Sequence, residues 1–458
     1  MDGAQETRAS ELAAICDAIR ACTDPNGPLL HADVPNAAQA AHALLEVLDY
    51  CALHGGPLGN VYALGKFMAL VWGRVVRYGY DESEKDDEKG WTMYLFNGAT
   101  YEGKSSGDPR VVQNIIKRHA RACLVKLGEA ASMRARVVTA LMLCRTTPLL
   151  QLALDQCIGE LRGMRQGESP RELNWKLDTS NFIGFTNGVC DVRSGTFFPL
   201  GSVPSDVKVS MCTDYPYVSP SDPLFPEMRA QITEFERMAH ADNYNDPNDA
   251  RLAAMRLFSG ALLLRGNECK KVFVFLGSAN SGKAEYARLL QLTLGDYAAT
   301  GSRIALTRAQ KTLDRDLAAN HKALVCFYPE AHDARTGAPV TRINGERIMV
   351  LTGNDQQAIR APRRATKGIS IDFKPIVLST HMPVVRPPHN AALNRFWIAR
   401  FGATFVPSGA QVDPNNRIFQ RIPDLEQRMR KWAPYYFVMM VEALRDFLLG
   451  TGALPLGQ

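Results

Sequence analysis

The feature that most restricts the fold is the run Lys271-Val-Phe-Val-Phe-Leu-Gly277-Ser-Ala-Asn280-Ser281-Gly282-Lys283-Ala284. Its first half is β-branched and aromatic, the composition of a strand buried on both faces. Its second half is a glycine-rich turn opening onto a helix that reaches about Leu294. The glycines let the backbone curl so that several N–H groups point inward. The helix N-terminus adds positive potential, and a lysine reaches the outer oxygens of a polyphosphate. The pattern therefore predicts a nucleotide-binding loop made of Gly277, Asn280, Ser281, Gly282, Lys283 and Ala284. One position departs from it: where a Ser or Thr hydroxyl would ligate Mg²⁺, the chain has Ala284.

Beyond the loop the chain alternates strand and helix. Apolar strands are expected at Ala323–Tyr328, Pro375–Ser379 and Phe396–Phe401, so this half reads as an α/β domain around a buried sheet. The tail, Leu425–Leu449, has a helical pattern with a break expected at Pro434. Before the loop, 227–265 is helical with an interruption at Asp242–Asn248, and Tyr215–Pro226 holds enough prolines to read as a linker. Further upstream, 1–80 and 110–165 carry the three-four apolar spacing of helices. Between them Trp91–Phe96 alternates like a strand, Asn97-Gly98 makes a turn, and a second strand is expected at Ala99–Glu102.

Composition excludes several classes. At 46% hydrophobic and 22% charged the 458-residue chain is an ordinary globular one, not a disordered one. Stretches such as Ala261–Leu264 and Phe437–Val441 fall far short of the roughly 20 apolar residues of a bilayer span. The opening residues have no apolar core, so neither a signal peptide nor a membrane partner is expected. None of the ten cysteines forms a C-x-x-C pair, which argues for buried thiols in a reducing intracellular compartment rather than a zinc or redox site. His240 and His332 lack a second ligand at metal spacing and read as surface or hydrogen-bonded histidines. Trp175 and Trp432 read as packing residues. Net charge is only +6, but residues 301–370 hold twelve Lys or Arg against six Asp or Glu. Such a local basic field suits a polyanion, although a solvated surface explains it as well.

Two segments carry a family likeness. Asn181-Phe-Ile-Gly-Phe-Thr-Asn187-Gly188-Val-Cys-Asp191-Val-Arg-Ser-Gly195 resembles the "NGV-x-D…G" hairpin that precedes the motor of superfamily 3 helicases. Tyr94-Leu-Phe-Asn-Gly98-Ala-Thr-Tyr101-Glu102 resembles its upstream "F-x-G-x-x-W" element, with Tyr101 where a Trp is usual. With a compact motor between Gly277 and Phe401, the chain resembles the helicase portion of poxvirus and giant-virus primase–helicases and of phage or plasmid primases. The resemblance covers roughly residues 60–448 and includes no primase module. It implies an α/β P-loop motor domain of the superfamily 3, AAA+-like kind, preceded by a mainly helical and small β N-terminal region. The implied divisions are a helical N-terminal region over 1–80, a mixed α/β pre-helicase domain over 81–220, a helical collar over 221–265, the ATPase domain over 266–405, and a helical tail over 406–458.

The resemblance also assigns roles. Ala323-Leu-Val-Cys-Phe-Tyr328-Pro-Glu330 matches the acidic strand motif. Tyr328 takes the first acidic place and Glu330 is the surviving carboxylate; with the match shifted by two residues, Glu330 is itself the metal carboxylate. Met349-Val-Leu-Thr352-Gly353-Asn-Asp355, then Arg360, resembles "K-x-L-T-G-x-D-x-x-x-x-R", with Met349 for the lysine. His381 falls where an asparagine senses the γ-phosphate, and Arg395 represents the arginine pair that acts on a neighbouring subunit. The implied catalytic set is Glu330, Asp355, His381 and Arg395. The implied cofactor is ATP or ADP, with Mg²⁺ left open and no separate metal site. Arg360, Arg363, Arg364 and Lys367 lie in the interval where such motors carry a channel hairpin that touches the nucleic-acid backbone; a solvated basic loop is the plain alternative, and Arg360 has the nucleotide site as a second one.

The resemblance implies a hexameric ring around DNA, soluble in the host cytoplasm or nucleus, with separate primase or replication proteins as partners. Because the metal-hydroxyl, first acidic, lysine and asparagine positions have all changed, the expected function is a nucleotide- and nucleic-acid-binding ring protein of viral or plasmid replication with weakened or lost hydrolysis. A fully active ATP-dependent DNA helicase and a structural or packaging component reusing the fold are the alternatives.

Overall fold

The computed structural model describes most of 181–450, the gaps being 201, 205–206, 208, 308–316, 318–319, 331–340, 354–356, 361–365, 370, 372 and 389. Before 181 it describes scattered helical positions such as 12–16 and 155–157 and the backbone of three strands; at 357–360 and 366–369 it likewise describes backbone alone. The chain falls into two compact units, 1–177 with 198–210, and 178–197 with 211–458.

In the first unit β1 (Val76–Tyr80), β2 (Trp91–Phe96) and β3 (Tyr101–Lys104) form an antiparallel sheet in that order. Val76 pairs with Leu95, and Phe96 with Tyr101. The hairpin at Asn97-Gly98 was legible, although its second strand runs two residues later than the expected Ala99–Glu102, but β1 was not: the helical reading of 1–80 ran across it. Its Val-Arg-Tyr-Gly-Tyr has strand composition, masked in the sequence by the Ala- and Leu-rich stretch before it. The rest of the helical readings over 1–80 and 110–165, with Trp175, lie largely outside the described residues.

The second unit begins with β4 (Phe182–Phe185) and β5 (Gly188–Asp191), an antiparallel hairpin in which Phe185 pairs with Gly188; a short β6 (Thr196–Pro199) follows. The sequence placed this hairpin with 81–220, whereas 178–197 packs in the unit that holds the phosphate loop. The reason is aromatic: Phe185 meets Tyr215, Tyr217 and Phe437 at centroid distances of 5.8, 5.4 and 4.7 Å. The proline-rich stretch read as a linker is thus fixed through its tyrosines.

Helices α1 (Phe225–His240) and α2 (Ala250–Ala261) follow. The break between them ends at Asp249, whose side chain accepts the Leu252 N–H at 2.9 Å and caps α2. Next come β7 (Val272–Gly277), α3 (Lys283–Leu294), β8 (Ala298–Thr300), β9 (Val325–Tyr328), β10 (Arg342–Asn344) and α4 (Gly345–Thr352). After them run β11 (Gln357–Arg360), β12 (Thr366–Ile369), β13 (Lys374–Ser379), β14 (Val384–Arg386), a short α5 (Asn390–Leu393), β15 (Phe396–Phe401), β16 (Thr404–Val406), β17 (Ile418–Gln420) and α6 (Leu425–Leu449).

The central sheet is parallel, in the order β15-β7-β13-β9-β8. All six residues of β13 are buried, as a strand covered on both faces requires. One face packs Val274, Tyr328, Val377 and Ile348 into an aliphatic core. The other packs Phe258, stacked on Trp397 at 5.0 Å, with Phe273 and Phe275.

The tail departs from its sequence reading. Residues 407–424 hold a single 3-10 turn at Pro414–Asn416 and the short β17 rather than a helix, and α6 runs unbroken through Pro434. The proline removes one helical hydrogen bond, but Trp432, Ala433, Tyr435, Tyr436 and Phe437 around it are all buried, mainly against α2 and α3. That burial outweighs the lost bond. The approach to α2 is so close that a Cβ on Gly260 would lie 2.4 Å from the Leu444 nitrogen.

Candidate functional site

Because the five strands run parallel, their C-terminal ends share one edge of the sheet, and the loop after β7 opens there. Gly282 sits at φ +83, a left-handed conformation that side chains avoid, and a Cβ there would meet the Phe405 ring at 2.8 Å. A Cβ on Gly277 would meet the Phe401 carbonyl oxygen at 2.5 Å and Ser281 Oγ at 2.6 Å. These glycines allow the tight curl. Ser281 Oγ lies buried in it without a hydrogen-bond partner.

Lys283, the first residue of α3, is 8% exposed, and its Nζ donates to the Gly277 and Ser278 carbonyls at 3.0 Å each. Burial lowers its pKa, and Glu330 and Glu285 pull it back up. The ammonium group is therefore parked on its own loop. Two neutral carbonyls hold it, which an anionic oxygen would displace.

A segment from further along the chain straps the loop. The Phe405 N–H donates to the Asn280 carbonyl at 2.8 Å, and the Arg421 guanidinium donates to Asn280 Oδ1 at 3.1 Å. Beside the strap lies a cavity of about 440 Å³ lined by Gly282, Ala284, Arg288, Phe405, Arg421 and Met429 among others. Ala284 presents a methyl group to it.

Glu330 stands just past the end of β9. Its Oε1 accepts the Thr380 backbone N–H at 3.0 Å and the Thr380 hydroxyl at 2.5 Å. Thr380 Oγ is in turn 2.9 Å from His381 Nδ1. Behind the carboxylate, Arg303 is buried; burial lowers its pKa to about 10 while Glu330 opposes the shift, so it remains a cation at neutral pH. Tyr328, the residue read at the first acidic place, is a core side chain packed beneath Gly301. Glu330, two residues on, is the carboxylate at this strand end. Met349 packs against the same core.

The structure brings together the loop, Glu330 and His381 at one edge, and it sets Arg395 apart. Arg395 precedes β15, and its carbonyl accepts the N–H of Val272, where β7 begins. At about 3.3 Å per strand residue, it lies roughly 16 Å along the sheet from Gly277. Its guanidinium donates to the Thr352 hydroxyl at 2.5 Å. It does not reach the loop of its own chain.

Asp355, Arg363 and Arg364, like His332, lie outside the described residues. Arg360 and Lys367 are described as backbone: β11 and β12 form an antiparallel ribbon with Arg360 opposite Thr366 and Ile359 opposite Lys367. His240 is neither a surface nor a ligand histidine but a core one, wedged against Tyr286 and Phe401 with Nε2 unpartnered. Trp432 packs in the core, as read, and donates to Gln231 at 3.0 Å.

The described donors fit a divalent cation poorly. Position 284 offers no oxygen, Glu330 Oε1 already takes two donors, and among the described residues no three His, Cys, Asp or Glu side chains converge. Sequence reasoning missed Thr380, Arg303 and Arg421. Thr380 had a signal, being the first residue after an apolar strand; the other two had none in local spacing.

No protein-family model matches the chain. It is 24% identical over 284 residues to "Putative helicase L207/L206" of Acanthamoeba polyphaga mimivirus, covering 59% of this chain and 28% of that protein. It is 25% identical over 272 residues to "Putative helicase 184R" of Invertebrate iridescent virus 6, covering 56% and 25%. The chain thus spans about a quarter of the length of these curated relatives. Solved structures similar to it include the C terminal region of NrS-1, at 12% identity over 54% of this chain and 60% of that one, with a TM-score of 0.33. Another is the JCV helicase, at 10% identity over 68% and 72%, with a TM-score of 0.29. Such scores mark partial likeness, and the fold of this chain rests on its own strand order. Among the described residues no helix is long and apolar enough to cross a membrane.

Proposed function

We propose that this chain is a ring-forming, nucleic-acid-binding protein of the superfamily 3 helicase kind, acting in viral or plasmid DNA replication, which grips a nucleoside polyphosphate but hydrolyses it slowly or not at all. The observation that carries the reading is the Gly277–Lys283 loop at the C-terminal edge of a parallel sheet, on the same edge as Glu330 and Thr380. The two viral relatives that bear the name helicase support the class.

Within this reading the backbone N–H groups of the loop and the Lys283 ammonium hold the phosphates. Glu330 orients solvent near the outermost phosphate. Arg395, at the far end of the sheet, serves the site of a neighbouring protomer, which calls for a closed ring, a hexamer by family likeness. The ribbon of β11 and β12 carries Arg360, Arg363, Arg364 and Lys367 toward DNA in the central channel, with separate primase or replication proteins as further partners. The division into a pre-helicase domain, a helical collar and an ATPase domain is part of the same proposal.

Weak hydrolysis is expected from the substitutions. Losing one preorganised contact to the developing charge costs about 10²–10³ in rate, and by family likeness Ala284 and Met349 each remove one. Steady-state turnover with and without single-stranded DNA tests this, alongside nucleotide binding. The expected result is binding that Lys283→Ala abolishes, with negligible turnover. DNA-stimulated turnover lost in Lys283→Ala would establish the fully active helicase instead. For the DNA contact, the double variant Arg363→Ala, Arg364→Ala should reduce the slope of log affinity against log salt by about two.

A further inference from the structure

We propose that the phosphate loop takes its nucleoside polyphosphate free of a divalent cation, with the Arg421 guanidinium supplying the positive charge beside Lys283. The inference rests on the nucleotide-binding reading of the loop and adds the form of the ligand and a residue that binds it.

Three observations lead there. The first is the missing donor. A magnesium ion on a loop-bound nucleotide needs an oxygen from the residue after the lysine, and Ala284 presents a methyl group to the cavity. The second is the state of the carboxylate. Glu330 Oε1 holds two donors from Thr380, at 3.0 and 2.5 Å. The buried Arg303 cation lies close enough to feel its charge. A metal drawing on Oε1 would compete with charge-assisted hydrogen bonds that are already made, and one on either oxygen would sit in the field of a buried cation.

The third observation supplies the replacement. Two arginines line the cavity beside the loop. Arg288 is spent on Glu426 at 2.9 Å. Arg421 instead donates to neutral oxygens, Asn280 Oδ1 at 3.1 Å and the Phe405 carbonyl at 3.4 Å. It is exposed and long, and it already touches the residue at the centre of the loop. A phosphate oxygen entering the loop outcompetes an amide oxygen for a guanidinium, because a charged acceptor makes a stronger hydrogen bond than a neutral one. Lys283 faces the same exchange, from two loop carbonyls to the ligand. The loop thus holds both cations on neutral acceptors, and each can transfer to an anion without leaving a carboxylate unpaired.

The test uses the full chain and calorimetric titration with ATP and with ADP, in EDTA and in excess Mg²⁺. Affinities that agree within about twofold between the two conditions support the proposal. A tenfold or greater loss in EDTA overturns it. Arg421→Gln should weaken binding in EDTA about tenfold or more with its melting temperature unchanged; wild-type affinity in that variant overturns the assignment of Arg421. Ala284→Ser, which restores the missing hydroxyl, should create a preference for Mg²⁺ that the natural chain lacks. Failure of the natural chain to bind either nucleotide in either condition would instead bring down the nucleotide reading and this proposal with it.

Discussion

The Thr380 hydroxyl and the Thr380 backbone N–H both donate to one oxygen of Glu330, at 2.5 and 3.0 Å. A hydroxyl has a single proton, so once that proton is given to Glu330, Thr380 Oγ can only accept from His381 Nδ1. The chain of donors runs His381 to Thr380 to Glu330 and assigns the imidazole proton to Nδ1. The carboxylate after β9 is thus tied to the residues after β13 by two side chains in series.

Thr380→Val keeps the shape and loses the hydroxyl. A hydrogen bond to a charged group contributes about 1.5–3 kcal/mol, and partial exposure puts this one at the lower end. We expect a loss of about 1.5 kcal/mol in urea unfolding, with Thr380→Ser retaining most of it. Equal losses in the two variants would show that packing of the methyl, not the hydrogen bond, is what matters.

Arg395 and the phosphate loop stand at opposite ends of β7. Arg395→Ala should therefore leave the nucleotide affinity of dilute, unassembled protein within about twofold of wild type. Its effect should appear only in the assembled protein, as weaker coupling between sites. A large affinity loss in the dilute protein would mean that Arg395 acts within its own chain.

Gly260 faces the backbone of Leu444, with room for a hydrogen but not for a carbon. In an isolated helix, Gly to Ala is favourable by about 1 kcal/mol. Here the forced separation of α2 and α6 costs more, in the range of about 1–3 kcal/mol for overpacking. Gly260→Ala should accordingly destabilise the protein, and a raised urea midpoint would contradict the close approach.

His240 makes stability pH-dependent. Burial lowers its pKa from 6.5 to about 3, and Arg417, Arg251 and Arg256 push the same way. The folded state then keeps the ring neutral while the unfolded state takes up a proton below pH 6.5. Between pH 6.5 and 3 the unfolded chain binds more protons, so stability rises with pH across that window and is complete above it. At about 1.4 kcal/mol per pH unit, this group alone removes about 2 kcal/mol between pH 7 and 5. Urea unfolding of wild type and His240→Leu at both values isolates the effect, since carboxylate contributions cancel in the difference. The variant should show the flatter pH response; parallel responses would place the protonation elsewhere.

How much of the fold and the site could be read from the sequence depends on how local the signal was. The strand β15 was read to the residue at Phe396–Phe401, and the strand, glycine-rich turn and helix around Gly277–Lys283 in that order, because buried parallel strands and glycine-rich turns write their constraints into consecutive residues. The break between α1 and α2, read at Asp242–Asn248, was legible for the same reason. What escaped was set by distant partners. Pro434 reads as a helix breaker until Trp432 and Tyr436 are seen buried against α2 and α3. The Tyr215–Pro226 stretch reads as a linker until Phe185 gathers its tyrosines. Arg421 lies 141 positions from Asn280, and no periodicity could announce that the two meet.

Helix α6 holds the helix behind the phosphate loop at two levels. Glu426 pairs with Arg288 near its start, and the Tyr436 hydroxyl meets that of Tyr286 at 3.0 Å a few turns on. Because Pro434 leaves it in one piece, it behaves as a stiff rod clamped to α3 rather than as a hinged appendage. Force applied to the last described residues of α6 therefore has a mechanical route to the Gly277–Lys283 loop, and so does any tilt of α3 in the opposite direction.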